Sequence, residues 1–296
     1  MSEIASVDLL AALLRADALE TQLAALRPEG LPDHLRGPLP VSPGVQAALV
    51  ASRRTDPADV LCLRRASPAA ALALGVSAES LAHEAAGSAL ARAGGRSSGG
   101  VPDDPRRGLV AAVDPPGTMM EVMSGVALAF RLTREPRVAI LVDDADDAAS
   151  GYWHEGLNFA GVQEAPLVVV IDASARRPLT AAVPRITVRG PAYGVRGVTV
   201  EGDAPHLVLD AIAEAVSRAR GGDGTQLVEV VPGTGGDPVD RMVQLDPSLA
   251  DRLPELRDAA ESEAAAAAEA ARAAPRPTFD SPRPSPRPAM ESVSGV

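Results

Sequence analysis

Lysine does not occur in this chain, so arginine supplies all 28 of its basic residues. Only one cysteine, Cys62, is present among 296 residues, which excludes an internal disulfide framework. No apolar run reaches the roughly 20 residues that a membrane-spanning helix needs, and no basic-then-apolar leader is visible. A soluble cytoplasmic protein without a membrane partner is the expectation. Aromatic residues make up 2% of the chain and the formal net charge is -11. That combination offers few stacking platforms and repels a phosphate backbone, so nucleic acid is excluded as a general partner.

The hydrophobic content of 46% is therefore carried by Ala, Val and Leu, which is enough for one substantial core. Residues 7 to 27 read as a helix, with Leu9, Leu10, Leu13, Leu14, Ala18, Leu23 and Leu26 on one stripe before Pro28 and Gly30 end it. Val45 to Val50 resumes helical spacing, Asp56 to Leu63 reads as a turn and short strand, and Ala69 to Leu74 and Ala78 to Ala93 read as alanine-rich helices. Gly94 to Asp104 reads as a flexible segment and Met119 to Leu132 as a helix.

The runs Val138 to Val142 and Leu167 to Ile171 are wholly apolar, as expected of strands covered on both faces. Asp172 to Pro191 reads as a loop or extended segment, Val198 to Val200 as a strand, Pro205 to Arg220 as a helix with Leu207, Ile212 and Val216 inward, and Gln226 to Val231 as a last strand. Strands alternating with helices predict an α/β fold, a doubly wound parallel sheet with helices on both faces. The chain divides into an α/β domain over 1–235, an Ala/Glu-rich helical extension over 236–274 and a Pro/Arg/Ser-rich tail over 275–296. The extension shows little apolar stripe, and the P-R-P repeats of the tail predict disorder.

Chemistry is sought where the central strand leaves the sheet, because ligands of open α/β sheets sit beyond the carboxyl ends of the strands. Four carboxylates, Asp143, Asp144, Asp146 and Asp147, stand there, followed by a helix on which Trp153, Leu157 and Ala160 recur at helical spacing. An acidic loop can take a divalent cation or remain solvated. His34, His83 and His206 have no metal-ligand spacing, Cys62 reads as a buried structural thiol, and Gly221 to Gly224 precedes a strand, so it is a turn and no phosphate loop.

Several runs in order then resemble one family. They are D-L-L-A-A-L-L-R at 8–15, D-D-P-R-R-G-L at 103–109, M-S-G-V-A-L-A-F-R-L at 123–132, G-Y-W-H-E-G-L-N-F-A at 151–160, P-L-V-V-V-I at 166–171 and A-Y-G-V-R-G-V-T-V-E-G-D at 192–203. Together they resemble the alpha subunit of the thiamine-diphosphate-dependent 2-oxo acid dehydrogenases, of the pyruvate and branched-chain type. The resemblance implies a thiamine-diphosphate-binding-type fold, a magnesium-bound cofactor and a beta-type partner subunit.

It also implies functional positions, and five of these elements are changed here. The metal-binding aspartate of a G-D-G run falls on Ala145, or on Asp144 if one residue is inserted, with Asp143 and Ala145 then replacing the glycines. The second metal ligand, an asparagine, falls on Ser174 beside Ala173. A Y-R-x-H run becomes Arg65, Ala66, Ser67 and Pro68; an S-M-H run becomes Gly99, Gly100 and Val101. A G-I-V-G run becomes Asp114, Pro115, Pro116 and Gly117. Asp144, Ala145, Ser174 and Gly117 are thus degenerate cofactor positions, Asp144, Asp146 and Ser174 the candidate metal ligands, and no residue stands out as catalytic.

The expectation is a degenerate, non-catalytic alpha-like subunit that binds no cofactor and acts as a structural or regulatory partner of a beta-type subunit, or self-associates. Its contact is placed at the central helix through Trp153, His154 and Phe159. The alternative is an active alpha subunit that uses thiamine diphosphate and magnesium for oxidative decarboxylation of pyruvate or a branched-chain 2-oxo acid. A third reading is a scaffold whose arginine-proline tail docks a partner as an extended polyproline helix.

Overall fold

The computed structural model describes residues 3–26, 59–63, 71–72, 75–92, 94–95, 104–112, 115–173, 185–233 and 236–278. Expectations over 45–50, at Arg65 to Pro68, Gly99 to Val101, Asp114 and Ser174, and in the tail after 278 lie outside these residues.

Six strands form a single parallel sheet: β1 (Val60–Leu63), β2 (Leu109–Val110), β3 (Ala139–Asp144), β4 (Leu167–Asp172), β5 (Arg196–Glu201) and β6 (Gln226–Val231). Their order is β2-β1-β3-β4-β6-β5. β3 lies between β1 and β4, with Ile140 opposite Leu61 on one side and Val168 on the other. The apolar runs thus occupy the interior of the sheet, as their lack of polar alternation requires.

Alternate residues of the inner strands feed two cores. Ile140, Val142, Val168, Val170, Val228 and Val230 face one layer. Ala139, Leu141, Val169, Ile171 and Leu227 face the other, together with Cys62, which is buried as expected. The first layer holds α1 (Glu3–Leu26), α2 (Ala78–Ala86) and α5 (Pro205–Arg220); the second holds α3 (Thr118–Thr133) and α4 (Gly151–Val162). Two more helices, α6 (Pro238–Leu245) and α7 (Leu249–Ala273), follow the sheet.

Three expectations change. α2 stops at Gly87, whose left-handed backbone (φ 60°) caps the helix; the alanine run alone hides this stop. In α5 the inward residues are Val208, Ile212 and Val216, while Leu207 is exposed, one position off the buried stripe. Part of the expected loop before Pro191 is helical, because Thr187–Tyr193 winds as a 3-10 segment.

The helical extension forms a helix as expected, but one with a buried face that its weak apolar stripe did not announce. α7 packs on α1 and α2, burying Ala260, Ala264, Ala267, Ala268 and Ala271, and Arg15 forks onto Glu263 with two contacts of 2.8 Å. Alanines every three to four residues form a weak hydrophobic signal, yet they let helices approach closely. The start of the tail is seated too. The carbonyl of Pro275 accepts from the Ala89 N–H at 2.8 Å, and Arg276 donates to the Ala86 carbonyl.

Replacing Ala268, which has no exposed surface, by leucine should overpack this seam and cost about 1–3 kcal/mol. A urea melt of the full chain checks it. An unchanged midpoint would mean that α7 does not seat on α1 and α2 in solution.

Candidate functional site

The carboxyl end of β3 enters the acidic loop, which is ordered by its own carboxylates. Asp144 Oδ1 accepts the N–H groups of Asp146 and Asp147, both at 2.8 Å, and closes the chain into a side-chain-capped turn. A 3-10 turn, Asp147–Ala149, leads to α4. There Ser150 is the N-cap, its Oγ accepting from the Trp153 N–H at 3.4 Å.

Asp143 and Asp147 lie behind this turn and have no exposed surface. Burial first, then a side-chain interaction with Asp147 and the charges of Asp147 and Asp144, raise the Asp143 carboxyl well above the usual range. A buried carboxyl with acidic neighbours keeps its proton to higher pH than an exposed one. Among the described residues no group of three or more His, Cys, Asp or Glu could hold a metal ion. Asp144, Asp146 and Asp147 belong to one loop, but their geometry spends Asp144 on the backbone.

Gly117 stands at the start of α3 with φ 86°, and a Cβ there would run into the Ser150 side chain. The N-terminal ends of α3 and α4 therefore abut, which glycine alone permits. Further along, a Cβ on Gly156 would lie 2.8 Å from the Met120 and Glu121 backbone. The Ser124 hydroxyl donates to the Met120 carbonyl (2.6 Å) and contacts the Gly156 carbonyl (3.0 Å), locking the pair of helices.

The 3-10 segment covers the other flank. Arg189 donates to the Ala148 carbonyl at 2.8 Å, and the Tyr193 hydroxyl lies 2.7 Å from His154 Nδ1. Burial first, then the Arg189 charge, lowers the His154 pKa against the opposing pull of Glu155. Glu229, 1% exposed on β6, accepts from the Thr187 N–H and hydroxyl at 2.9 Å each. Sequence reading missed this tie; a lone carboxylate inside the strand L-V-E-V-V was the available signal.

Of the residues expected at a subunit contact, Trp153 is corrected to the core: it is wholly buried beneath α4 and offers no surface. Its large ring sits on the inward side of the helix, while Tyr152, one position before it, is exposed. Phe159 is 44% exposed, and His154 is half-buried against Tyr193. Ala145 is buried and Asp146 half-buried in the acidic loop. In the resembled D-P-R-R-G run, Asp104 takes Arg92 and Arg107 at 2.6 Å each. Burial pushes its carboxyl up, but the two guanidiniums together hold it below the usual range.

The raised Asp143 carboxyl has a pH consequence, because one proton is held there. The unfolded chain releases it near the ordinary aspartate pKa of about 3.9, whereas the folded chain keeps it to higher pH, so stability is complete below that value and declines as pH rises towards the folded pKa. Asp143→Asn should flatten this decline and raise the melting temperature by several degrees at pH 8 relative to the native chain, as followed by circular dichroism between pH 5 and 9. A parallel loss of stability in both proteins would show that Asp143 holds no such proton.

Comparison with known proteins assigns this scaffold. Residues 47–232 match the profile of the family described as dehydrogenase E1 component. The chain is 31% identical over 166 residues to the 2-oxoisovalerate dehydrogenase subunit alpha of Bacillus subtilis, covering 54% of this chain and 50% of that protein. It is 34% identical over 113 residues to the pyruvate dehydrogenase E1 component subunit alpha of the same organism, covering 36% and 30%. A third relative, the 3-methyl-2-oxobutanoate dehydrogenase subunit alpha of Mycobacterium tuberculosis, is 32% identical over 152 residues, covering 45% and 41%. The chain spans half or less of the length of these relatives. The parallel sheet, the paired helices beyond β3 and these matches together place the chain in the dehydrogenase E1 component family, alongside the alpha subunits of 2-oxo acid dehydrogenases.

Proposed function

We propose that this chain is a non-catalytic alpha-type subunit of the thiamine-diphosphate-dependent 2-oxo acid dehydrogenase family, acting as a structural or regulatory partner of a beta-type subunit. The observation that carries this reading is the Asp144 carboxylate, which already occupies the N–H groups of Asp146 and Asp147. Outward backbone N–H groups at the end of a strand are what a diphosphate needs, and here the chain's own anion holds them. Asp143 and Asp147 add acidic groups directly behind, which opposes a further anion at short range.

Magnesium fits no better. The carboxylate oxygen that would face a cation is turned onto the loop backbone, and Ser174 would supply only a hydroxyl. The residues present do not fit the cofactor and its ion, and no catalytic step is assigned through either. What the chain keeps is a rigid scaffold. We assign the beta-type partner to the flank formed by His154, Tyr193 and the 3-10 segment, where Val188 is 62% exposed beside the His154–Tyr193 pair.

Titration calorimetry with thiamine diphosphate and magnesium should give no saturable heat for the chain alone or with a beta-type subunit added, while the two chains co-elute. Micromolar, magnesium-dependent binding in either sample would overturn the non-catalytic reading and restore that of a working alpha subunit. Failure to co-elute would remove the partner role.

A further inference from the structure

Where the first helix meets the last two, α1, α5, α6 and α7 leave a cleft of about 320 Å³ between them. Its polar side chains are Ser6 of α1, His206 and Asp210 in the first turns of α5, and Asp246, which follows α6. A volume of this size stands at the lower end of those that take small molecules. The floor is apolar. Leu249 has no exposed surface and Met242 is 3% exposed, and both belong to the core that α1 shares with α7. Leu245, which also lines the cleft, stands exposed at its lip.

The polar wall is left with unused bonding capacity. Ser6 is 5% exposed, yet its hydroxyl makes no hydrogen bond among the described residues, an unmet demand that a ligand would satisfy. Asp246 commits only Oδ1, which accepts from the Ser248 N–H at 3.2 Å and the Ser248 hydroxyl at 2.6 Å. Asp210 makes no hydrogen bond or ion pair among the described residues. Arg241, the cation whose charge is felt at His206, is already committed to Asp203 at 3.0 Å and Glu201 at 3.7 Å. Burial first, opposed by the Asp210 charge and aided by that of Arg241, lowers the His206 pKa, so the ring is neutral near pH 7 and adds no positive charge. Two carboxylates outweigh the roughly half positive charge at the start of α5.

Charge and lining together select the ligand. A hard metal cation takes about six or more oxygen ligands, and among the described residues no group of three or more His, Cys, Asp or Glu could hold a metal ion. Such an ion would also gain nothing from Met242 and Leu249. A primary ammonium carries three donors and a carbon chain, which matches both halves of the cleft. We infer that this cleft binds a primary alkylammonium group, with Asp210 and Asp246 taking its charge, Ser6 accepting a further hydrogen bond, and Met242, Leu245 and Leu249 covering its carbons. The group comes from a free small amine or from a lysine side chain of another protein, since this chain holds no lysine of its own. The site lies in the layer of α1 and α5, away from the acidic loop and the His154 flank, and it stands whether or not the chain partners a beta-type subunit.

Calorimetry on the full chain in low-salt buffer should show saturable, millimolar binding of n-butylammonium, with the His206 ring signals shifting in NMR spectra over the same concentrations. n-Butanol, which has the same chain without the charge, should bind about tenfold more weakly or worse. Asp210→Asn and Asp246→Asn should each weaken n-butylammonium by about tenfold, and Ser6→Ala by about threefold. Asp210 is exposed, so its variant reads binding alone even where Asp246→Asn loosens the turn between α6 and α7; melting temperatures separate the two effects. N-acetyl-lysine amide in a parallel titration distinguishes the sources: tighter binding than n-butylammonium marks the lysine side chain of a partner, weaker binding marks a free amine. Butanol binding as tightly as the amine, magnesium displacing the amine at equal concentration, binding indifferent to both aspartates, or no saturable binding of either amine overturns the inference.

Discussion

The arrangement of this protein depends on burying the four inner strands, β1, β3, β4 and β6, on both faces. β3, β4 and β6 carry almost no solvent-exposed residue, so helices must cover each side of the sheet or several valines and leucines would meet water, at about 25 cal/mol for each Å² of apolar area. With 2% aromatic content, large rings cannot fill the space between layers. Small residues do so by bringing backbones together, as at Gly156 against Met120 and along the alanines of α7. Two large rings do enter this layer, Trp153 where β3 hands over to α4 and Phe130 on α3.

That handover is also where the family's chemistry would be expected, and charge changes its character. A strand end ringed by helix starts is a place of positive potential, suited to an anion. Here the chain answers that potential from within, through Asp144 on the loop and Ser150 on α4. A buried carboxyl pair, Asp143 with Asp147, occupies the layer beneath. The result is a loop tied down by its own carboxylate.

Much of this was legible in the residues. Unbroken apolar runs announce buried parallel strands, and β6 and α5 have the bounds that their patterns predict. Chain stops depending on backbone conformation were not legible, such as the left-handed Gly87 within an alanine run. Neither was the packing of α7, a helix the sequence does announce but whose buried face is mostly alanine, a weak apolar signal, and contacts α1 and α2 closely. At the site, the acidic loop was visible as four aspartates, but the division between Asp144 as a backbone cap and Asp143 and Asp147 as buried carboxyls depends on packing that no spacing encodes. Trp153 shows the limit from the other side: rarity marked it as important, while only packing shows that its importance is internal.

The ion pair between Arg15 and Glu263 joins residues 248 positions apart, and the leucines of α1 share a core with α7. During synthesis, the oily side of the first helix must therefore wait for nearly the whole chain before its cover arrives. Until then it is a surface for chaperones or for other nascent chains, and long-range closure of this kind folds slowly. The late helix acts as a clasp, and a ribosome that stalls before it would release a domain with its sheet built and one side of its interior still open.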